Sequence, residues 1–330
     1  MDVAVTKNNE IKRIADDLAT GARVVSINGL TSTASKAFIL SQLSSTTGKP
    51  IVVVTESNSE LERFESDLRF WLRDKSVVNV PSFETDIYSG VSPHAETQEK
   101  RALALWTLSK SPTDIIVTTA RSLVSRTISP NDIKSLGAEL VRDEDLPPDQ
   151  LIERLVRGGY VREDPINNIG QFSVRGGILD VWSPDAANPI RIEFFGDTID
   201  SIREFDPETQ LSTNQLKTAS IAPMREFSAS PQDMKDWAFF ARERFGDERF
   251  ARNLKDRTDF ADEGETFSGW EFLLPLVKPL TSSLYEHLGD CIFVIDEPPL
   301  IEQSFLNTFD TVDRHYNEAL ESGDIGLKRD

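Results

Sequence analysis

Apolar and polar residues alternate most regularly across residues 171–205. In Phe172-Ser173-Val174-Arg175 every second side chain is apolar, which predicts a half-buried strand. Gly176-Gly177 then permits a turn or bulge, and residues 178–182 form a second apolar run. After a loop over 184–189, Ile190, Ile192 and Phe194 share one face of a strand, and Arg191, Glu193 and Phe195 share the other. Gly196-Asp197 is a two-residue hairpin signal. The stretch therefore predicts a small antiparallel unit whose wet face carries Phe195 beside Arg191, with Arg175 alternating outward from its own strand. An outward aromatic among arginines has the composition of a binding hot spot. Period two alone favours the plainer alternative, a second packed layer over Phe195 with the arginines in ordinary surface pairs.

The rest of the chain follows another pattern. Apolar runs at 24–27, 51–54, 77–80 and 115–118 predict buried strands. They alternate with helices over 36–44, 58–73 and 98–108 and another from Arg121. Leu61, Phe64, Leu68 and Leu72 recur at helical spacing in the second of these. Residues 10–20 predict a lead-in helix, and 28–35 and 81–97 are loops. Strands and helices alternating at this spacing indicate an α/β fold with a parallel sheet. Near residue 138 the pattern changes. Asp145 or Pro147-Pro148 can open a helix with Leu151, Leu155 and Val156 on its apolar side, and the β-rich stretch follows. Residues 231–257 read as helical, with Trp237, Phe240, Phe245 and Phe250 inward, and 258–268 as an acidic loop. A strongly buried strand over 291–295 then returns to the first sheet and ends in Asp296-Glu297. The expected organisation is an α/β domain at 1–137, an inserted α+β domain at 138–225, a return to the α/β domain at 226–305, and a helix and polar linker at 306–330.

Composition narrows the chemistry. The 330 residues carry a net charge of −19, which disfavours a broad nucleic-acid grip and suits docking onto a basic protein surface. A single cysteine, Cys291, excludes an internal disulfide and fits a reducing compartment, so a cytoplasmic location is expected. The N-terminal residues lack the apolar core of a signal peptide, and no apolar run is long enough to span a membrane. The three histidines and the cysteine show no metal-ligand spacing, so no metal site is expected.

One stretch sits where a phosphate-binding loop belongs. Residues 29–36, Gly-Leu-Thr-Ser-Thr-Ala-Ser-Lys, lie between a predicted strand and a helix. Such a loop needs G-x-x-x-x-G-K-[ST], in which backbone N–H groups cradle phosphate, the lysine reaches the β and γ phosphates and the hydroxyl holds Mg²⁺. Counting from Gly29, Ala34 takes the second glycine position, Ser35 the lysine position and Lys36 the hydroxyl position. Sliding the lysine by one residue rotates it by about 100° on a helix, out of the cradle. Asp296-Glu297 has the form of a Walker-B pair with little to act on. A degenerate, non-hydrolytic nucleoside triphosphatase scaffold is expected, with no catalytic residue and no cofactor of its own.

A lost phosphate loop, an insert carrying FSVRGGILDVW and IRIEFFGDTIDSIREFD, a returning strand with Asp-Glu, and the stretches PSFETDIYSGVSPHAETQEKRALALWTL and DIIVTTARSLVSR together resemble the UvrB-like N-terminal module of the bacterial transcription-repair coupling factors. The likeness extends over residues 10 to about 305. The insert also resembles that of UvrB itself, but UvrB has an intact phosphate loop and a long aromatic-rich hairpin, for which residues 83–96 are too short. The resemblance implies a UvrA-recruiting module that imitates UvrB. Its family contact residues fall on Arg175, Arg191 and Phe195, with Ser173 where UvrB has a further arginine. It also implies that ATP, Mg²⁺, double-stranded DNA and RNA polymerase belong to a motor and contact domains outside these residues. The competing expectation is an active ATPase or helicase half of a UvrB-like damage-recognition protein.

Overall fold

A computed structural model describes residues 3–329, with side chains from Glu10 onward. In chain order the strands are β1 Ile51–Thr55, β2 Val77–Val80, β3 Ile115–Thr119, β4 Arg126–Thr127, β5 Ala138–Val141, β6 Val161–Arg162, β7 Gln171–Arg175, β8 Ile178–Val181, β9 Ile190–Phe195, β10 Thr198–Phe205, β11 Ser212–Leu216, β12 Thr218–Ile221, β13 Ser282–Ser283 and β14 Ile292–Ile295. The chain divides into two compact units. One takes in the chain up to Ser82 with Lys110–Ser125 and Leu284–Asn307; the other takes in Phe83–Ser109, Arg126–Ser283 and the residues from Thr308 on. The 138–225 segment lies within the second unit, and so do residues 226–283.

The first unit is built on a parallel sheet of order β14-β1-β3-β2. Every residue of β1 and β3 is buried, as their unbroken apolar runs require of central strands. Helices Thr33–Thr47 and Asn58–Trp71 cover the sheet, and Leu61, Phe64 and Leu68 of the second enter the core with Leu40 and Leu43 of the first. Two expectations fail at the edge of this sheet. Residues 24–27 form no strand, and Val24 is 83 % exposed. The run before Asp296 does pair in parallel with β1, but as an edge strand that turns Ile292 and Val294 to the core and leaves Phe293 and Ile295 exposed. A short apolar run cannot distinguish one buried face from two; the absence of a neighbour beyond β14, among the described residues, decides it.

The second unit holds a six-stranded sheet of order β11-β10-β9-β8-β7-β6. Its inner face supplies Phe172, Leu179, Val181, Ile190, Ile192, Ile199 and Ile202, packed with Leu151 and Leu155 of helix Pro148–Arg157. Val156, expected beside them, is exposed. The two hairpins turn on Gly176 and Gly196, with φ of 60° and 63°, the left-handed backbone that glycine adopts without cost. β5 and β12, the first and last strands of the segment, pair antiparallel with Ala138 opposite Ile221. Tyr160 fastens the same region: its buried hydroxyl donates to the Ala222 carbonyl at 2.5 Å and lies 3.2 Å from Ser183 Oγ. Burial drives its phenol pKa far above the ordinary value, so it stays a donor at all working pH. Tyr160→Phe is expected to lower unfolding stability by about 1–2 kcal/mol in a urea titration, the cost of a buried hydrogen bond and an orphaned carbonyl.

A second core in this unit gathers Trp237, Ala238, Ala241, Phe245, Phe250, Leu254, Phe267 and Trp270. The expected single helix over 231–257 is two, Pro231–Arg244 and Ala251–Asp262, so the second runs into the stretch expected to be a loop. Phe240, expected inward, is 45 % exposed. Beside this core lies a buried ion pair. Arg101 Nε donates to Glu226 Oε1 at 2.8 Å, Thr127 Oγ1 donates to Glu226 Oε2 at 2.7 Å, and the guanidinium lies 4.5 Å from the Phe83 ring centroid.

Candidate partner-docking site

The outer face of the six-stranded sheet places the predicted docking residues in register. Arg191 on β9 stands directly opposite Asp180 on β8, and Asp180 stands opposite Ser173 on β7. One row further along, Arg175 faces Ile178, and Ile178 faces Glu193. Phe195 ends β9, at the hairpin turn. The alternation expected from sequence holds: Ile190 and Ile192 are buried, Phe194 packs on the inner core, and Phe195 is 83 % exposed. Nothing in the unit covers the Phe195 ring, so a second packed layer over it is ruled out within the described residues.

The two arginines differ in their settings. Arg175 forks through Nε and Nη2 onto both carboxylate oxygens of Asp164, and both side chains are about half exposed, at 51 % and 55 %. Arg191 forks onto Asp180 at 2.7 and 2.8 Å, and here the carboxylate is buried. The Arg191 guanidinium also stacks 4.6 Å from the Phe205 ring centroid and reaches Gln210 at 3.4 Å. Hydrogen bonds to their aspartates raise both guanidinium pKa values further above the ordinary range. Glu193, on the same face, is engaged by Arg203 and by Ser201 Oγ at 2.8 Å. Asp164, Asp180 and Phe205 escaped the sequence reading. Period two puts Asp180 on the face of Arg191 only once the β8–β9 register is known, and the intervening loop hides that register.

In the other unit, the predicted nucleotide-loop residues lie at the start of helix Thr33–Thr47. Gly29 keeps a left-handed φ of 87° in the preceding loop. Ser32 caps the helix, its Oγ accepting from the Ser35 N–H at 3.2 Å. Ser35 Oγ donates back to the Ser32 carbonyl at 2.8 Å. Ala34, Ser35 and Lys36 are therefore in the first helical turn and not in a loop that ends at residue 35. Lys36 does reach the acidic pair across the unit: its Nζ lies 2.7 Å from Asp296 Oδ1 and 2.8 Å from Glu297 Oε1. Burial pulls the Lys36 pKa down, but the hydrogen bonds and charges of the two carboxylates outweigh it and hold the ammonium above its ordinary value. Glu297 keeps a left-handed φ of 47° in making this contact, unusual for a residue other than glycine. Among the described residues no group of three or more acidic, histidine or cysteine side chains could hold a metal ion, and no helix is long and apolar enough to cross a membrane.

Residues 138–227 match the UvrB interaction domain, bounded by the paired strands β5 and β12. That match defines the class: a UvrB interaction domain in a chain that also holds a parallel α/β unit. The transcription-repair-coupling factor of Myxococcus xanthus is 31 % identical over 301 residues, covering 87 % of this chain and 25 % of that protein. That of Bacillus subtilis is 31 % identical over 232 residues, covering 69 % of this chain and 19 % of that protein. That of Staphylococcus haemolyticus is 26 % identical over 317 residues, covering 92 % and 27 %. The chain belongs to the transcription-repair-coupling factor family. It spans about a quarter of the length of the curated relatives it matches.

Proposed function

We propose that this chain is the UvrA-recruiting module of a transcription-repair-coupling factor and that it docks UvrA through Phe195, Arg175 and Arg191. The observation that carries the proposal is the Phe195 ring, 83 % exposed at a hairpin tip of the sheet whose outer face carries Arg175 and Arg191, within the residues that match the UvrB interaction domain. A rigid aromatic fills a pocket at small entropic cost, and arginine forks recognise carboxylates. The partner surface is therefore an apolar pocket flanked by acidic side chains. In the whole protein this module would act with domains that engage RNA polymerase and translocate on double-stranded DNA at the expense of ATP, in the bacterial cytoplasm.

The module itself is proposed to be non-hydrolytic. Supporting this, Ser32 already satisfies the helix N–H that a phosphate would need, Ala34 replaces the second glycine of the loop, and Lys36 is held by Asp296 and Glu297. Calorimetric titration of UvrA with the chain is expected to give a saturable complex, and Arg175→Ala should weaken it by about 1–2 kcal/mol, roughly tenfold. Wild-type affinity in Arg175→Ala, Arg191→Ala and Phe195→Ala alike would sink the docking assignment. In parallel, the chain is expected to hydrolyse ATP no faster than buffer. Turnover above background that disappears in Asp296→Asn would establish the ATPase alternative instead.

A further inference from the structure

We infer that the two aspartates beneath the docking arginines act in opposite senses: Asp164 competes with the partner for Arg175, whereas Asp180 positions Arg191 to receive it. This rests on the assignment of the face to UvrA docking.

The difference lies in burial and in what else holds each guanidinium. Arg175 and Asp164 both stand about half in water, and Asp164 is the only carboxylate that Arg175 reaches among the described ion pairs. An exposed pair of this kind holds its geometry weakly, because water and salt screen it and two flexible side chains must be ordered. Its fork nevertheless occupies Nε and Nη2, the pair of donors with which an arginine grips a carboxylate side-on. A partner carboxylate that takes this fork must first displace Asp164. The free protein thus carries its own stand-in for the partner's acid.

Arg191 is held from three sides. Asp180 is buried, the Phe205 ring lies beneath the guanidinium, and Gln210 accepts from Nη2. Asp180 cannot leave, because exchange would strand a buried carboxylate. The fork onto Asp180 uses Nε and Nη2 and leaves the Nη1 edge to a partner. Asp180 therefore fixes the direction in which that edge points. It is a positioning residue that acts through Arg191.

Charge alone makes the opposite forecast for one of them. Removing either aspartate makes the face more positive, so simple attraction to an acidic partner would raise affinity in both cases. The structure assigns opposite signs to the same substitution. UvrA is titrated with the full chain carrying Asp164→Asn, Asp180→Asn, Arg175→Ala, or Arg175→Ala with Asp164→Asn. Glu163→Gln serves as a charge control at a neighbouring exposed acid. Circular dichroism checks each fold. Asp164→Asn should bind about threefold tighter, the scale of a weak exposed pair. That gain should vanish in the Arg175→Ala background and be absent in Glu163→Gln. Asp180→Asn should bind about tenfold weaker while folded.

The inference is overturned if Asp164→Asn binds no tighter than wild type, if its gain survives without Arg175, or if folded Asp180→Asn binds as well as wild type. Should Asp180→Asn unfold, Asp164→Asn and its double variant decide alone, since that pair is exposed. Phe195→Ala, run alongside, separates the two levels. Undiminished binding in Phe195→Ala removes the docking assignment, whereas weakened binding there with a flat response in Asp164→Asn removes only this inference.

Discussion

Phe195→Ala is expected to weaken UvrA binding by about 2–3 kcal/mol, roughly thirty- to 150-fold, with no change in the unfolding transition. The two halves of that expectation have separate causes. The ring is 83 % exposed and outside the inner core of the sheet, so its loss opens no cavity and strands no neighbour. Folding loses nothing that cavity creation would cost. Binding loses a large apolar surface held at a hairpin tip by Gly196 and by the β9–β10 pairing, where its conformational freedom is already restricted. Titration calorimetry with UvrA and a thermal melt of the same sample read both halves. A melt that shifted with the affinity would return Phe195 to the structural role that alternation alone had left open.

Arg101→Met is expected to destabilise the unit that contains it by about 3–5 kcal/mol, read as a lower urea midpoint. Arg101 and Glu226 are both buried, with side chains 3 % and 1 % exposed. Their pairing repays a large desolvation cost, and Thr127 completes the carboxylate's hydrogen bonds. Removing the arginine leaves Glu226 charged in an apolar setting with a single hydroxyl donor. The companion experiment is Arg101→Met with Glu226→Leu. Replacing both charges by apolar groups of similar size should recover much of the loss, because no charge then remains stranded. Recovery would show that the pair defines how the helix Ala95–Lys110 meets the chain after β12, more than it adds stability. A double variant as unstable as the single would place the cost in lost packing against Phe83 instead.

Much of this architecture is legible in single side chains. The central strands β1 and β3 announce themselves in the apolar runs Ile51–Val54 and Ile115–Val117, and the outward turn of Phe195 follows from period two. The two strand failures share one cause. Residues 24–27 and 292–295 read alike as buried strands, yet the first is unpaired and the second half exposed, since pairing depends on what lies alongside and not on the run itself. The same holds for the site. Arg175 and Arg191 are visible, but their aspartates lie eleven residues away across turns. Lys36 meets Asp296 across 260 residues and Arg101 meets Glu226 across 125, distances over which no local pattern speaks. The lysine that falls one position out of place for a phosphate loop is held by the acidic pair that follows β14.

The pairing of β5 with β12 has a consequence for how such a domain travels. Ala138 and Ile221 are cross-strand partners, about 5 Å apart at Cα. To whatever protein surrounds it, the whole excursion between them has the end-to-end span of a hairpin turn. Closing a loop across that gap costs a host almost nothing beyond what its own turn already cost. The segment between β5 and β12 thus enters and leaves the surrounding chain at a single point, and its hairpin tip and arginines are carried as an excursion from that point.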